Sequence, residues 1–419
     1  MSKVIICIIL FNIININSMY SQNLNYPFPQ NKNYFEGSIN PKNHSQIELN
    51  KAAMLFYNLW KKAYLRNDCA DPKQYYVLND EENVKGRGST ICVSEGQGYG
   101  MQIMVLMAGY EKDAKHIFDG MYKFSRAHPS NKSPYIMSWS ILKGCITNTH
   151  NENNSSAADG DLDITLSLLM ADNQWGSTGE INYRNEALKN LSAILKHVIN
   201  YKNHTILLSD ANVLGDEDYN DIRSSDFMPS HLRVFNKFYP NEEWTKVIDK
   251  TYEIFEKLQL KYSPKAGLIP DFIVYKEGKY LPSKPNYLES KHDGEYYYNA
   301  CRVPFRVAID YLIFGDSRAK KLLDPLNDWI QEETVNNADK ISTGYHLNGD
   351  RLNGKNYAVP SFVCPFAIGA MVNKENQEWV DDCWDFIADF EFKDFRYFDN
   401  SIQMLSLLIL SENYWLPQP

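Results

Sequence analysis

The sequence predicts an all-α fold, a single domain of about a dozen helices, and two observations carry that expectation. Apolar residues recur at spacings of three and four along most of the 419-residue chain. The links between these stretches are polar and rich in Gly, Asn and Asp, and none has the Pro/Gly/Ser composition of a tether between two compact halves. Helices joined in this way pack as successive antiparallel pairs. The longer links, at 148–156, 210–226 and 268–299, offer loops on which a site can sit.

The chain opens with Lys3 and an apolar run from Val4 to Ile14, followed by the small residues Ser18 and Ser21. The run falls short of the roughly 20 apolar residues that a bilayer crossing needs, so residues 1–21 are expected to be a cleaved export signal. The mature protein is then soluble and secreted or periplasmic, with no membrane attachment. Residues 22–46, rich in Asn, Pro, Tyr and Gln, form an irregular lead-in. From there 47–419 is a single domain.

Its first helical stripe joins Leu49, Ala52, Ala53, Leu55, Phe56, Leu59, Trp60 and Ala63. Similar stripes cover 99–110, 114–125, 163–171, 186–199 and 243–260. Further ones cover 303–314, 318–332, 361–371, 377–390 and 402–410. Residues 272–275 and 279–281 flank Lys276-Glu277-Gly278 and predict a small hairpin within a loop.

Composition narrows the function. With 44% hydrophobic and 23% charged residues the chain is globular, and a net charge of −9 with no Lys/Arg cluster disfavours nucleic acid as a partner. The acidic excess would suit a cationic substrate. Beyond the signal lie Cys69, Cys92, Cys145, Cys301, Cys364 and Cys383, an even number that fits an oxidising compartment; disulfides and buried free thiols both remain open. No C-x-x-C pair, His-Glu-x-x-His, Gly-x-Ser-x-Gly, phosphate loop or dinucleotide fingerprint is present, so neither metal nor cofactor is expected. His231, His292 and His346 are isolated in sequence and default to surface or supporting roles. Aromatic residues make up 13% of the chain, and many of them must be core. Trp139, Tyr296, Tyr297, Tyr298 and Tyr345 stand in polar, loop-like surroundings where a ring can stack on a sugar face, ordinary packing being the alternative for each.

Two segments break the pattern. In Ser94-Glu95-Gly96-Gln97-Gly98-Tyr99-Gly100-Met101, three glycines allow close backbone approach, Ser94 is placed to cap the following helix, and Glu95 falls in its first turn. A helix N-terminus favours an ionised carboxylate, so Glu95 can serve as an acid only if burial or a second carboxylate holds its proton; otherwise it is a simple dipole partner. In Ala157-Ala158-Asp159-Gly160-Asp161-Leu162-Asp163-Ile164, three carboxylates alternate before another helix. The spacing is that of a calcium loop without its closing glutamate; capping of a helix and binding of a sugar are the other readings.

Together these segments resemble glycoside hydrolase family 8, whose members share a Ser-Glu-Gly-Gln-Gly-Tyr-Gly-Met block and a later Ala-x-Asp-Gly-Asp-x-Asp block. The resemblance implies an (α/α)6 barrel of six inner and six outer helices. It implies an inverting β-glycanase in which Glu95 is the general acid, Asp159 a second active-site residue, and Asp161 a further contact to the sugar.

In the main branch of that family the base resembles an aspartate just before Ala-x-Arg-x-Pro-x-Arg. This chain has Asn299 there, followed by Ala300-Cys301-Arg302-Val303-Pro304-Phe305-Arg306, and an amide cannot take a proton from water near neutral pH. Another branch, including chitosanases and some lichenases, takes its base from a glutamate in the preceding loop. Glu289 matches best, with Glu295 and Asp293 as competitors. Arg302 and Arg306 are expected to hold nearby carboxylates, and Trp139, Tyr298, Asn299, Arg302 and Tyr345 to line the substrate groove. On this reading the protein is a monomeric chitosanase. A lichenase or cellulase is the first alternative, and a non-catalytic carbohydrate binder, suggested by Asn299, is the second.

Overall fold

The computed structural model describes residues 24–79, 90–149 and 154–419; the expected signal at 1–21 lies outside them. Among the described residues, twelve α-helices follow in order. The first six are α1 (Gln46–Tyr64), α2 (Ser94–Leu106), α3 (Ala114–Ala127), α4 (Ala158–Trp175), α5 (Tyr183–His197) and α6 (Pro229–Phe238). The rest are α7 (Glu242–Tyr262), α8 (Val303–Phe314), α9 (Ser317–Thr334), α10 (Pro360–Ala370), α11 (Gln377–Asp389) and α12 (Tyr397–Leu410).

Burial sorts them into two classes. Every residue of α10 is buried, and α2, α4, α8 and α12 are buried almost all round. The odd-numbered helices each bury one stripe and show charged residues on the other face, as expected of helices that meet solvent. The even-numbered helices touch in the closed order α2, α4, α6, α8, α10, α12 and back to α2. Each odd-numbered helix lies against its even-numbered predecessor in the chain, with α1 packing on α12. This is the (α/α)6 barrel, six helices inside six.

The sequence stripes match these helices with instructive exceptions. The ten-residue α6 spans fewer than three turns and shows too short a stripe to be seen, although Pro229 at its first turn fixes its start. Helices α2 and α4 begin five residues before their expected stripes, because their glycine- and aspartate-rich openings are already helical. These openings cross backbone to backbone. A Cβ on Gly160 would stand 2.4 Å from Ser94 Oγ, and one on Gly98 would stand 2.7 Å from Asp163 Cβ. Ser94 is not the expected cap: helix α2 already includes it, Val93 holds the cap position, and Ser94 Oγ is buried without a hydrogen-bond partner among the described residues.

The lead-in is irregular, as expected, but it is a strap across the closed end of the barrel. Its amides meet carbonyls at the C-terminal ends of four inner helices: Phe28 to Ala108 (2.6 Å), Lys32 to Glu412 (2.6 Å), Phe35 to Leu312 (2.7 Å) and Ile39 to Met371 (3.0 Å). Helix ends leave such carbonyls unsatisfied, so the strap supplies donors they need.

Among the described residues, ten short strands decorate the other end. They are β1 (Leu65–Arg66), β2 (Tyr76–Val77), β3 (Thr90–Val93), β4 (Ser140–Leu142), β5 (Ile146–Thr147), β6 (Ile199–Asn200), β7 (Thr205–Ile206), β8 (Ile222–Arg223), β9 (Phe272–Lys276) and β10 (Lys279–Pro282). The expected hairpin is β9–β10, which turns through Glu277 and Gly278 at positive φ, with β8 paired to its other edge. A disulfide, Cys69–Cys145, joins the β1–β2 and β4–β5 loops across 76 residues, while Cys92, Cys301, Cys364 and Cys383 are free and buried.

Two stability outcomes follow from this packing. Closing a loop of that length stabilises by roughly 2–4 kcal/mol, so a Cys69→Ser/Cys145→Ser variant should melt several degrees below wild type, measured by calorimetry. Gly160→Ala should cost roughly 1–3 kcal/mol by overpacking, whereas Gly179→Ala, whose Cβ would meet nothing within 4 Å, should melt like the wild type.

Candidate active site

At the end of the barrel opposite the strap, the N-termini of the inner helices bring one guanidinium and several carboxyls together. Arg302, 3% exposed at the start of α8, is the hub. Its Nη1 donates to Glu95 Oε2 (2.5 Å), Asp159 Oδ2 (2.9 Å) and the Tyr99 hydroxyl (3.3 Å). Its Nη2 donates to Ser225 Oγ (2.9 Å) and Asn299 Oδ1 (2.9 Å). Glu95 and Asp159 each occupy the second position of their helices, α2 and α4, and so face the same space. The Tyr397 hydroxyl, at the start of α12, lies 3.4 Å from Glu95 Oε1; a Cβ on Gly96 would stand 2.2 Å from that hydroxyl.

The electrostatics of Glu95 run against the ionised state that its helix position favours. Burial pushes its carboxyl up to about 7; Arg302 opposes the rise and the charge of Asp159 adds to it. The neighbouring guanidinium does not offset the loss of water.

Helix geometry separates the three aspartates of the second segment. Successive residues turn about 100°, so Asp159 and Asp163 share a face of α4 while Asp161 points the other way. Asp161 is 1% exposed and accepts the Met137 amide at 3.0 Å. It buttresses the loop that carries Trp139 and does not line the groove, contrary to expectation. Asp163 sits one turn deeper than Asp159, bonded to Arg306 (2.6 and 3.0 Å) and Gln102 (2.6 Å), with His231 Nε2 at 2.9 Å. Burial pushes its carboxyl up, yet Arg306 and His231 outweigh that and hold it down at about 2. His231 is therefore a buried support and not a surface residue.

Of the aromatic candidates, Trp139 and Tyr298 are half-buried. The carbonyl of Trp139 accepts the Ser94 amide at 3.0 Å, which seats it beside the start of α2, and Tyr298 packs on Phe362 and Phe398. Tyr345 and Tyr296 are fully buried; the Tyr345 hydroxyl accepts the Ser342 amide, and its ring packs edge-on against Trp329. Neither is a platform for a sugar. Sequence context could not distinguish a loop that covers the core from one that faces water.

The loop before Asn299 sorts its own acids. Asp293 is fully buried and accepts the amides of Leu288 (2.7 Å), Glu289 (3.0 Å) and Ser290 (2.7 Å), so it shapes the loop. Glu295 is engaged by His346 Nδ1 (2.9 Å) and the Leu347 amide (3.1 Å). Glu289 alone of the three reaches the hub, through Asn299, whose Nδ2 donates to Glu289 Oε2 at 2.9 Å.

Sequence reasoning missed three residues here. Asp271 accepts the amides of Tyr297 (2.9 Å), Asn299 (3.1 Å) and Ala300 (2.7 Å), fixing the backbone that presents Asn299 and Arg302. Burial pushes its carboxyl to about 7 against the pull of those amides. Asp226 is buried beside Arg223 (3.6 Å), and burial likewise raises it to about 7, with Arg223 opposing. Arg223 also meets Glu289 Oε1 at 3.2 Å. No short motif marks these residues: Arg223 meets Glu289 across 66 positions and Asp271 gathers amides 26 to 29 residues further on, while Asp226 shows only a commonplace i,i+3 pairing with Arg223.

The profile described as "Glycosyl hydrolases family 8" matches residues 46–412. An endoglucanase of Bacillus sp. (strain KSM-330) is 41% identical over 395 residues, covering 94% of this chain and 82% of its own. A beta-glucanase of Niallia circulans is 38% identical over 392 residues, covering 93% and 91%. The apo structure of a beta-1,3-1,4-glucanase from Paenibacillus sp. X4 superposes with a TM-score of 0.87 at 37% identity, covering 94% of this chain and 99% of that one. With a barrel built as that family builds it and a profile match across nearly the whole domain, the chain belongs to glycosyl hydrolase family 8.

Proposed function

We propose that the protein is an inverting endo-β-glucanase acting on mixed-linkage β-1,3-1,4-glucan, with cellulose as the secondary substrate. The relatives are a beta-1,3-1,4-glucanase, a beta-glucanase and an endoglucanase, and this replaces the chitosan expected from Asn299 and the acidic balance. The observation that carries the mechanism is the pairing of two unlike carboxyls. Glu95 holds its proton up to about 7, and Glu289 lies beyond it with Arg302 and Asn299 in between. Inversion requires the two groups to stand roughly 6.5–9.5 Å apart, leaving room for a water on the far face of the sugar.

In this reading Glu95 gives its proton to the glycosidic oxygen as the bond to the anomeric carbon breaks. A water attacks that carbon from the opposite face, and its proton passes to Glu289. Arg302 then faces a newly charged Glu95 and stabilises it, while Asp159, beside the same guanidinium, orients the sugar. Trp139 and Tyr298 supply ring faces to the groove. Asn299, which opened the door to a non-catalytic binder, becomes the link between hub and base. The disulfide supports export to an oxidising compartment, where the enzyme would act as a monomer on an extracellular polymer.

Three outcomes test the proposal. Glu95→Gln and Glu289→Gln should each lower kcat by roughly 10²–10⁴-fold with glucan binding retained, as assayed by reducing ends and calorimetric titration. Lichenan should be cleaved faster than carboxymethylcellulose, and both faster than chitosan; turnover of chitosan alone would overturn the substrate assignment. Because the Glu95 carboxyl is raised, its acid form persists to about pH 7, so kcat/KM should fall above that pH as the proton is lost. A rate that keeps climbing to pH 9 would remove Glu95 from the acid role.

A further inference from the structure

We infer that Arg223 is a positioning residue that aims the Glu289 carboxylate; the inference rests on the reading of Glu289 as the base. Glu289 stands on a loop outside every helix and strand, with 33% of its side chain exposed, where an unrestrained glutamate would occupy several rotamers. Two side chains hold it, one on each oxygen. Asn299 Nδ2 donates to Oε2 at 2.9 Å and Arg223 Nη2 donates to Oε1 at 3.2 Å. A carboxylate gripped at both oxygens has its plane as well as its direction fixed.

Arg223 is itself rigidly placed. It lies on β8 opposite Phe272 of β9, its guanidinium sits over the Phe272 ring at 5.3 Å, and its Nη1 is 3.6 Å from Asp226 Oδ2. Its side chain is 13% exposed, so the pairing with Glu289 is shielded on one side. Just before that strand, Asp221 Oδ2 accepts the Tyr287 hydroxyl at 2.8 Å, so neighbouring residues pin the base loop at two points. Arg223 forms no hydrogen bond or ion pair with Glu95 or Asp159, although the Asp159 charge reaches it, and it acts on the reaction through Glu289.

The experiment uses the full chain and mixed-linkage glucan oligosaccharides. Arg223→Met should lower kcat roughly 10- to 100-fold by misaligning the attacking water, with KM changed less than about threefold. Arg223→Lys should recover part of the loss, since a lysine keeps the charge without the fixed fork. In a Glu289→Ala background, azide can attack the anomeric carbon without a base, the leaving oxygen still taking its proton from Glu95. Adding Arg223→Met there should leave the azide-rescued rate unchanged, because residues that act as one unit are not additive.

A wild-type kcat in Arg223→Met overturns the inference, as does an equal further loss in the azide-rescued background, which would mark general damage. If Arg223→Met fails to fold, Arg223→Gln carries the same expectations. Near wild-type turnover in Glu289→Gln instead defeats the base assignment itself, whatever Arg223 does.

Discussion

A buried guanidinium with nowhere to lose its charge organises this molecule. Arg302 cannot deprotonate, so removing it from water obliges the fold to surround it with acceptors. Glu95, Asp159, Ser225, Asn299 and the Tyr99 hydroxyl answer that demand from four separate stretches of chain. The barrel makes their convergence geometrically cheap, because its inner helices all begin at one end. The same burial acts on Glu95: a carboxyl paired with arginine in open water would already be ionised at neutral pH and have no proton to give, while here desolvation outweighs the pairing.

What the sequence made legible is what lies within one or two turns of a helix. Stripes of apolar residues exposed eleven of the twelve helices, because a helix that buries a face has to repeat every three to four residues. Glu95 and Asp159 drew notice because glycine-rich openings next to a carboxylate are rare and local, while the roles expected of them came from the family resemblance. The separation of Asp161 from Asp159 and Asp163 was legible in principle from helix phase alone, since two residues of rotation turn a side chain to the far face.

What stayed hidden depends on contacts between distant segments. Nothing near Asp271 announces that it gathers three amides more than twenty residues away, and Arg223 on β8, beside β9, meets Glu289 across 66 positions of chain. The tyrosines misled for a related reason. Tyr296 and Tyr345 sit among polar neighbours in sequence but face each other across an antiparallel bridge that seals them from water. Substrate preference lay further out of reach, because a single Asn in place of Asp says which branch of mechanism applies and not which sugar fills the groove.

The strap gives the two ends of the barrel different rules for change. At the closed end, helix carbonyls are met by backbone amides, which every residue but proline carries, so many sequences can occupy 24–44 provided the path of the chain and the buried Phe28 and Ile39 are kept. At the open end, the hub depends on particular functional groups at particular distances, and a substitution of the same size but different chemistry breaks it. Mutational drift should therefore accumulate asymmetrically along the barrel axis, wide at the strap and narrow at the hub. A designer seeking tolerant positions for a tag, a graft or a fusion joint would look to the strap's exposed side chains first.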